Sequence, residues 1–204
     1  MEDKIDFKAE LKSLYHPGPR EFVFVDVPAM TFVMVDGAGN PNTAPAYAQA
    51  VAWLYGVSYA MKFASKEAGQ DYFVPPLEGL WWADAPSDFV ARNKDNWRWT
   101  MMIMVPDFIT RDMYDAAVLA TAEKLADAPP SLRLETYAEG LCLQIMHLGS
   151  YDEEGPALEH LHEVEIPGRK LVHNGHHHEI YLNDPRKTAP GKLKTILRQP
   201  VRPA

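Results

Sequence analysis

The densest run of ionisable side chains is His176-His177-His178-Glu179-Ile180-Tyr181-Leu182. In an extended strand successive side chains alternate between faces. His177, Glu179 and Tyr181 then share one face, and His176, His178, Ile180 and Leu182 share the other. A carboxylate at a strand centre stands either in a pocket or on a solvated face, and the residues alone leave both readings open. A metal is the rival use of the histidines. Zinc takes three or four convergent ligands, and the shared face supplies His177 and Glu179, so a third ligand has to come from elsewhere, from His147 or His160. No His-Glu-x-x-His spacing and no cysteine pair is present, so no metal is expected. Ser58, Ser65, Ser87 and Ser150 lack an elbow sequence, and Gly37-Ala38-Gly39 is too short for a phosphate loop. No cofactor is expected either.

The elements that must hold these residues follow from periodicity. Phe22-Val23-Phe24-Val25 and Thr31-Phe32-Val33-Met34-Val35 flank Pro28 and read as two strands or one bent strand. Gly37 and Gly39 end the second, and residues 43–66 read as a helix with Thr43 as N-cap. Gly56 inside it suggests a close helix-to-sheet contact. Tyr55 and Tyr59, four residues apart, can stack on one helix face, as core or as the side of an aromatic pocket. Strands are expected at Tyr72-Phe73-Val74, at Leu80-Trp81-Trp82-Ala83 and from Trp97 to Val105, and a helix from Thr110 to Ala126. Further on come a strand over 141–147 closed by Gly149, a helix over 152–164, and strands over 177–183 and 192–198, the last stopped by Pro200.

The order repeats. Each half reads strand, glycine turn, helix, strand, strand, with Gly37 matching Gly149 and Gly79-Leu80-Trp81-Trp82-Ala83-Asp84 lining up with Glu179-Ile180-Tyr181-Leu182-Asn183-Asp184. Trp81 then occupies the place of Tyr181, so two equivalent aromatics flank a groove with one acid between them. The expected fold is α+β, one domain over 21–204 after a lead-in of residues 1–20, with pseudo-twofold halves at about 21–128 and 131–204 and a ligand groove at their junction.

The 28 acidic against 20 basic residues give a net charge of −8, which argues against nucleic acid as a partner. The single cysteine, Cys142, lies in an apolar strand and suits a reducing cytoplasm. The N-terminus, Met1-Glu2-Asp3-Lys4, carries no apolar leader, and no apolar run reaches the ~20 residues of a membrane span. Five tryptophans suggest a core together with an aromatic-lined cavity.

The stretch from His178 through Glu179-Ile180-Tyr181-Leu182-Asn183-Asp184-Pro185-Arg186 to Gln199-Pro200 resembles the C-terminal signature of GyrI-like small-molecule-binding proteins. Val27-Pro28-Ala29-Met30 with Val35-Asp36-Gly37-Ala38-Gly39, and Leu77-Glu78-Gly79-Leu80-Trp81-Trp82, resemble their N-terminal and middle strands. The resemblance implies a duplicated fold with a groove carboxylate at Glu179. It also implies a free-standing member without a DNA-binding helix-turn-helix. Some such members hydrolyse cyclopropane-bearing DNA-alkylating natural products. By that correspondence Glu179 and Tyr181 are the catalytic positions, and Trp81, Trp82, Tyr55 and Tyr59 are ligand-binding walls. The expected partner is a flat hydrophobic small molecule. The alternative is a non-catalytic protein that sequesters lipophilic, often cationic, drugs. A protein-binding inhibitor is a third reading, because the family takes its name from a gyrase inhibitor.

Overall fold

The computed structural model describes residues 4–85 and 93–204. The fold is α+β. In chain order its elements are the helical turns α1 (Phe7–Glu10) and α2 (Lys12–Tyr15), β1 (Val23–Ala38), α3 (Pro45–Glu67), β2 (Leu77–Ala83), β3 (Trp97–Met104), α4 (Arg111–Ala122) and β4 (Arg133–Leu148). There follow α5 (Gly155–His160), a π-helical turn (Leu161–Glu165), α6 (Ile166–Gly168), β5 (Leu171–His173), β6 (His177–Tyr181) and β7 (Lys194–Pro203). They pack as two compact units. The first takes Met1–Phe7, Met30–Pro75 and Trp81–Tyr137; the second takes Lys8–Ala29, Pro76–Leu80 and Ala138–Ala204.

In the first unit β1 and β3 are antiparallel, with Val33 opposite Ile103 and Gly37 opposite Trp99. That last pair explains the glycine. A side chain at Gly37 would run into the Trp99 ring, so the indole lies flat over bare backbone. Its Nε1 donates to the Gly39 carbonyl at 3.2 Å. Every residue of β3 except Arg98 is buried, where simple alternation puts one face outward. The long helix α3 crosses α4 so closely that a Cβ on Gly56 would meet Thr121 Cγ2 at 2.7 Å. The Gly56 contact is therefore helix to helix, not helix to sheet. Trp53, fully buried, ties the same pair through a hydrogen bond from Nε1 to the Ala126 carbonyl at 3.1 Å.

In the second unit β7 is the central strand. It pairs antiparallel with β4, with β6 and, at its far end, with β5. A cluster of Phe22, Leu143, Leu161, Ile166 and Val201 packs the β-surface against the 155–168 helical segment.

Several boundaries differ from the sequence expectation. β1 runs unbroken through Pro28, the single-strand alternative of the two expected, and its buried residues alternate before the proline and are continuous over Phe32–Val35 after it. Pro200 does not stop β7; it sits opposite Cys142 in the β4 pairing. Proline lacks an N–H, so it is tolerated where the ladder needs no donor. β4 begins at Arg133, eight residues before its apolar stretch, with Gly140 in the left-handed region at φ 73° inside it. Residues 72–74 form an isolated bridge from Tyr72 to Ile5 rather than a strand. α3 starts behind Ala44 with Pro45 in its first turn, so Thr43 is not its cap. Gly39 (φ 94°) and Gly149 (φ 142°) are the conformational equivalents that end β1 and β4; Gly37 stays within the strand. The segment before Pro17 is folded, and Leu14 and Tyr15 are buried.

Candidate functional site

β6 is five residues long, and its alternation is as the sequence implies. His178 and Ile180 are fully buried on one face. Glu179 and Tyr181 are half-buried on the other, with His177 buried behind them. The Glu179 side chain is 13% exposed, so it is neither sealed in the core nor free in bulk water. The Tyr181 hydroxyl donates to Glu179 Oε2 at 2.7 Å. The His177 ring brings Nε2 to 3.6 Å from Glu179 Oε1, beyond hydrogen-bonding distance. One oxygen is thus oriented by a phenol and the other faces an imidazole.

Tyr151 completes this corner. Its ring meets that of Tyr181 edge-to-face, 5.6 Å between centroids at 75°. Tyr151 begins a short helical turn that is fixed by Glu153, whose Oε2 accepts from both the backbone N and the hydroxyl of Ser150 at 2.8 Å. Those bonds hold the Glu153 carboxyl below its usual range. The sequence reading missed Tyr151. The signal for it was the Ser-x-x-Glu capping spacing directly after Gly149.

Behind β6 lies a second group that sequence reasoning also missed. His178 sits between two acids: its Nε2 is 2.9 Å from Glu78 Oε2 and its Nδ1 is 2.8 Å from Glu139 Oε1. Glu139 Oε2 accepts from Arg198 at 3.2 Å, and the Tyr15 hydroxyl donates to Glu78 Oε1 at 3.0 Å. Arg198 also donates to Gln144 Oε1 at 3.1 Å and to the Leu14 carbonyl at 2.7 Å, while Gln144 donates to the Ser13 carbonyl at 2.7 Å. The last two bonds satisfy carbonyls at the end of α2. Burial opposes charge on His178, but Glu139 and Glu78 outweigh it and push the imidazole up to about 9. Burial likewise opposes charge on Glu139, and His178 with Arg198 hold it below the usual carboxylate range. The Tyr15 phenol is pushed well up by burial and then by Glu78. No periodicity pairs residues 15, 78, 139, 178 and 198, so only the tertiary structure brings them together.

Four further histidines are engaged elsewhere. His147 Nε2 lies 3.0 Å from the Ser150 carbonyl, and His160 Nε2 lies 3.2 Å from Glu165. His162 and His173 meet nitrogen to nitrogen at 3.0 Å, and burial, then His177 and His173, press His162 down to about 4. Among the described residues no three His, Cys, Asp or Glu side chains are arranged to hold a metal. The Cys142 thiol is buried, and burial pushes it up, so it is a poor nucleophile. Asp184 is a turn residue: it accepts from the Arg186 side chain and backbone, which holds its carboxyl down to about 2.

The other expected ligand residues belong to the first unit. Trp81 is buried, its ring 6.2 Å from Tyr47 and 5.7 Å from Trp97, and Trp82 is half-buried on the opposite face of β2. Tyr55 and Tyr59 stack at 6.3 Å and 29° along α3, and Phe63 extends the row at 6.3 Å. Tyr59 is 48% exposed and Phe63 54% exposed. Trp97 lines a surface hollow of about 400 Å³ with Ala38, Asp84, Ala85, Asp95, Asn96 and Arg98, and Trp99 is core.

Residues 20–202 match the model of the GyrI-like small molecule binding domain. The chain is similar to an uncharacterized conserved protein from Listeria innocua at 38% identity, with 98% of this chain and 100% of that chain covered and a TM-score of 0.88. It is similar at 37% identity, over 98% and 100% of the two chains and with a TM-score of 0.85, to a hydrolase encoded by lin2189 from the same organism. The C-terminal domain of EcmrR, at 11% identity, shares the fold with a TM-score of 0.61 over 90% of this chain and 98% of that one. Among curated proteins none matches. Among the described residues no helix is long and apolar enough to cross a membrane.

Proposed function

This chain belongs to the GyrI-like small-molecule-binding family, and on that premise we propose that it binds flat hydrophobic molecules against Glu179 and hydrolyses strained, cyclopropane-bearing electrophiles among them. The observation that carries the reading is the half-buried Glu179 carboxylate, oriented by the Tyr181 hydroxyl at 2.7 Å. A cyclopropane fused to a dienone opens when water attacks a ring carbon. The water oxygen forms a new C–O bond, the strained C–C bond breaks, and its electron pair aromatises the ring and ends as a phenolate. Glu179 takes the proton that the water loses, and the phenolate takes one up. A positioned general base contributes typically 10²–10⁴-fold to such a step. Tyr181, as the donor to Glu179, holds the base in place. Trp81, Trp82, Tyr55 and Tyr59 are proposed to meet the ligand through their rings. The hydrolase from Listeria innocua, similar to this chain along nearly its whole length, supports the enzymatic form. A buried lone thiol and a net charge of −8 support a cytoplasmic protein that does not act on nucleic acid.

The second reading is sequestration of lipophilic cations. It is favoured by the pair of tyrosine rings, Tyr151 and Tyr181, beside one carboxylate, a combination that attracts cations through charge and ring face. One experiment separates the two. The protein is incubated with a cyclopropanoid alkylator and, separately, with tetraphenylphosphonium. A water adduct of the alkylator by mass spectrometry, lowered at least ~10²-fold in rate by Glu179→Gln, supports hydrolysis. Tight cation binding with no adduct supports sequestration. Normal turnover by Glu179→Gln rules out Glu179 as the base.

A further inference from the structure

We propose that His178, clamped between Glu78 and Glu139, is the positioning residue of the Glu179 site, setting the register of β6 and so the face on which Glu179 stands. The inference rests on the reading of Glu179 given above and adds a residue that does not touch the ligand.

β6 has five residues, and a slip of one position would exchange its two faces. Apolar contrast alone does not forbid that slip. The inner face holds one aliphatic residue, Ile180, while the outer face offers His177 and Tyr181, both of which tolerate burial. Charge is what distinguishes the registers. The groups that face position 178 are Tyr15 from α2, Glu78 from β2, Glu139 and Gln144 from β4, and Arg198 from β7. Arg198 stands directly opposite His178 in the β6–β7 ladder, and Glu139 bridges the pair, one oxygen to each. With His178 protonated, two acids meet two bases. With Glu179 in its place, three acids would share one arginine in a space closed to water; a slip the other way would seat His177 there but bury Glu179 in the fully enclosed place of Ile180. A buried unpaired charge costs several kcal/mol, so the slipped strand is disfavoured by charge count where packing is indifferent.

The pH dependence has a definite sign. His178 is raised from 6.5 to about 9. Its contribution is complete below the unfolded value and is lost as pH rises through about 9. Tetraphenylphosphonium affinity follows the protonated fraction of the folded ring, so in the wild-type protein it is level from pH 7 to 8 and falls as pH passes about 9. Glu78→Gln removes one of the two acids and touches neither Glu179 nor Tyr181. In that variant the fall moves down by about one pH unit or more. An unmoved limb in a folded Glu78→Gln protein overturns the proposal. The second measurement is ligand-free: imidazole ¹⁵N shifts of His178 and exchange protection of the β6 amides across the same titration in the wild-type chain. A doubly protonated ring at pH 7, with β6 protection lost as it deprotonates, supports the assignment even if Glu78→Gln does not fold. A neutral ring at pH 7, or protection indifferent to its deprotonation, overturns it. If wild-type protein neither binds nor converts either probe, the Glu179 reading fails alone and this second measurement still decides the role of His178.

Discussion

The two units solve the same problem, holding strands in one register, with different physics. In the first, shape does the work. Trp99 lies over Gly37, Thr121 presses on Gly56, and the interior is Trp53, Leu54, Met61, Met101, Met102 and Ile103. In the second, the interior carries Tyr15, Glu78, Glu139, His178 and Arg198, all at 5% exposure or less. Dispersion and area burial are non-directional and forgiving of chemistry but not of volume. Buried charges are the reverse: they tolerate little change in charge count. Glu179, the proposed functional residue, sits on the unit whose register depends on charge.

The sharpest way to break that contrast is Glu139→Leu. It leaves His178 and Arg198 with Glu78 alone, and destabilisation of about 3–5 kcal/mol is expected by urea unfolding. A cost below 1 kcal/mol would show that the second unit is also held by shape. Next in size is Gly37→Val, which places a branched side chain in the Trp99 ring. Overpacking of this kind costs typically 1–3 kcal/mol, and near-ultraviolet circular dichroism should report the displaced indole. Glu179 function is expected to survive Gly37→Val in protein that remains folded; a loss like that of Glu179→Gln would tie the site to the first unit's packing. The smallest effect sharpens the baseline. Thr110 caps α4 by accepting from the Met113 amide at 3.3 Å, so Thr110→Ala should cost about 1 kcal/mol in thermal unfolding, with no change in ligand affinity.

Much of the candidate site was legible along the chain. Alternation placed Glu179 and Tyr181 on one face, because a strand of any sequence turns successive side chains to opposite sides. Helical spacing placed Tyr55 over Tyr59 for the same local reason. The errors came where local propensity met tertiary demand. Pro200 read as a break, yet it lies inside β7, because a proline is a break only where the ladder needs its missing N–H. Residues 133–140 drew no strand expectation, since a strand with polar residues and a glycine lacks apolar rhythm.

What the sequence determined by itself was the α+β class, the strand face of Glu179 and Tyr181, and the identity of the acid on it. Each follows from interactions within a few residues. The companions of those residues were decided only by the folded chain. Tyr15, Glu78, Glu139 and Arg198 reach His178 across separations of 20 residues or more, and Tyr151 reaches Tyr181 from the far side of the 155–168 helical segment and β5. Charge pairing in a dry interior depends on distance in space, and no period in the chain encodes that.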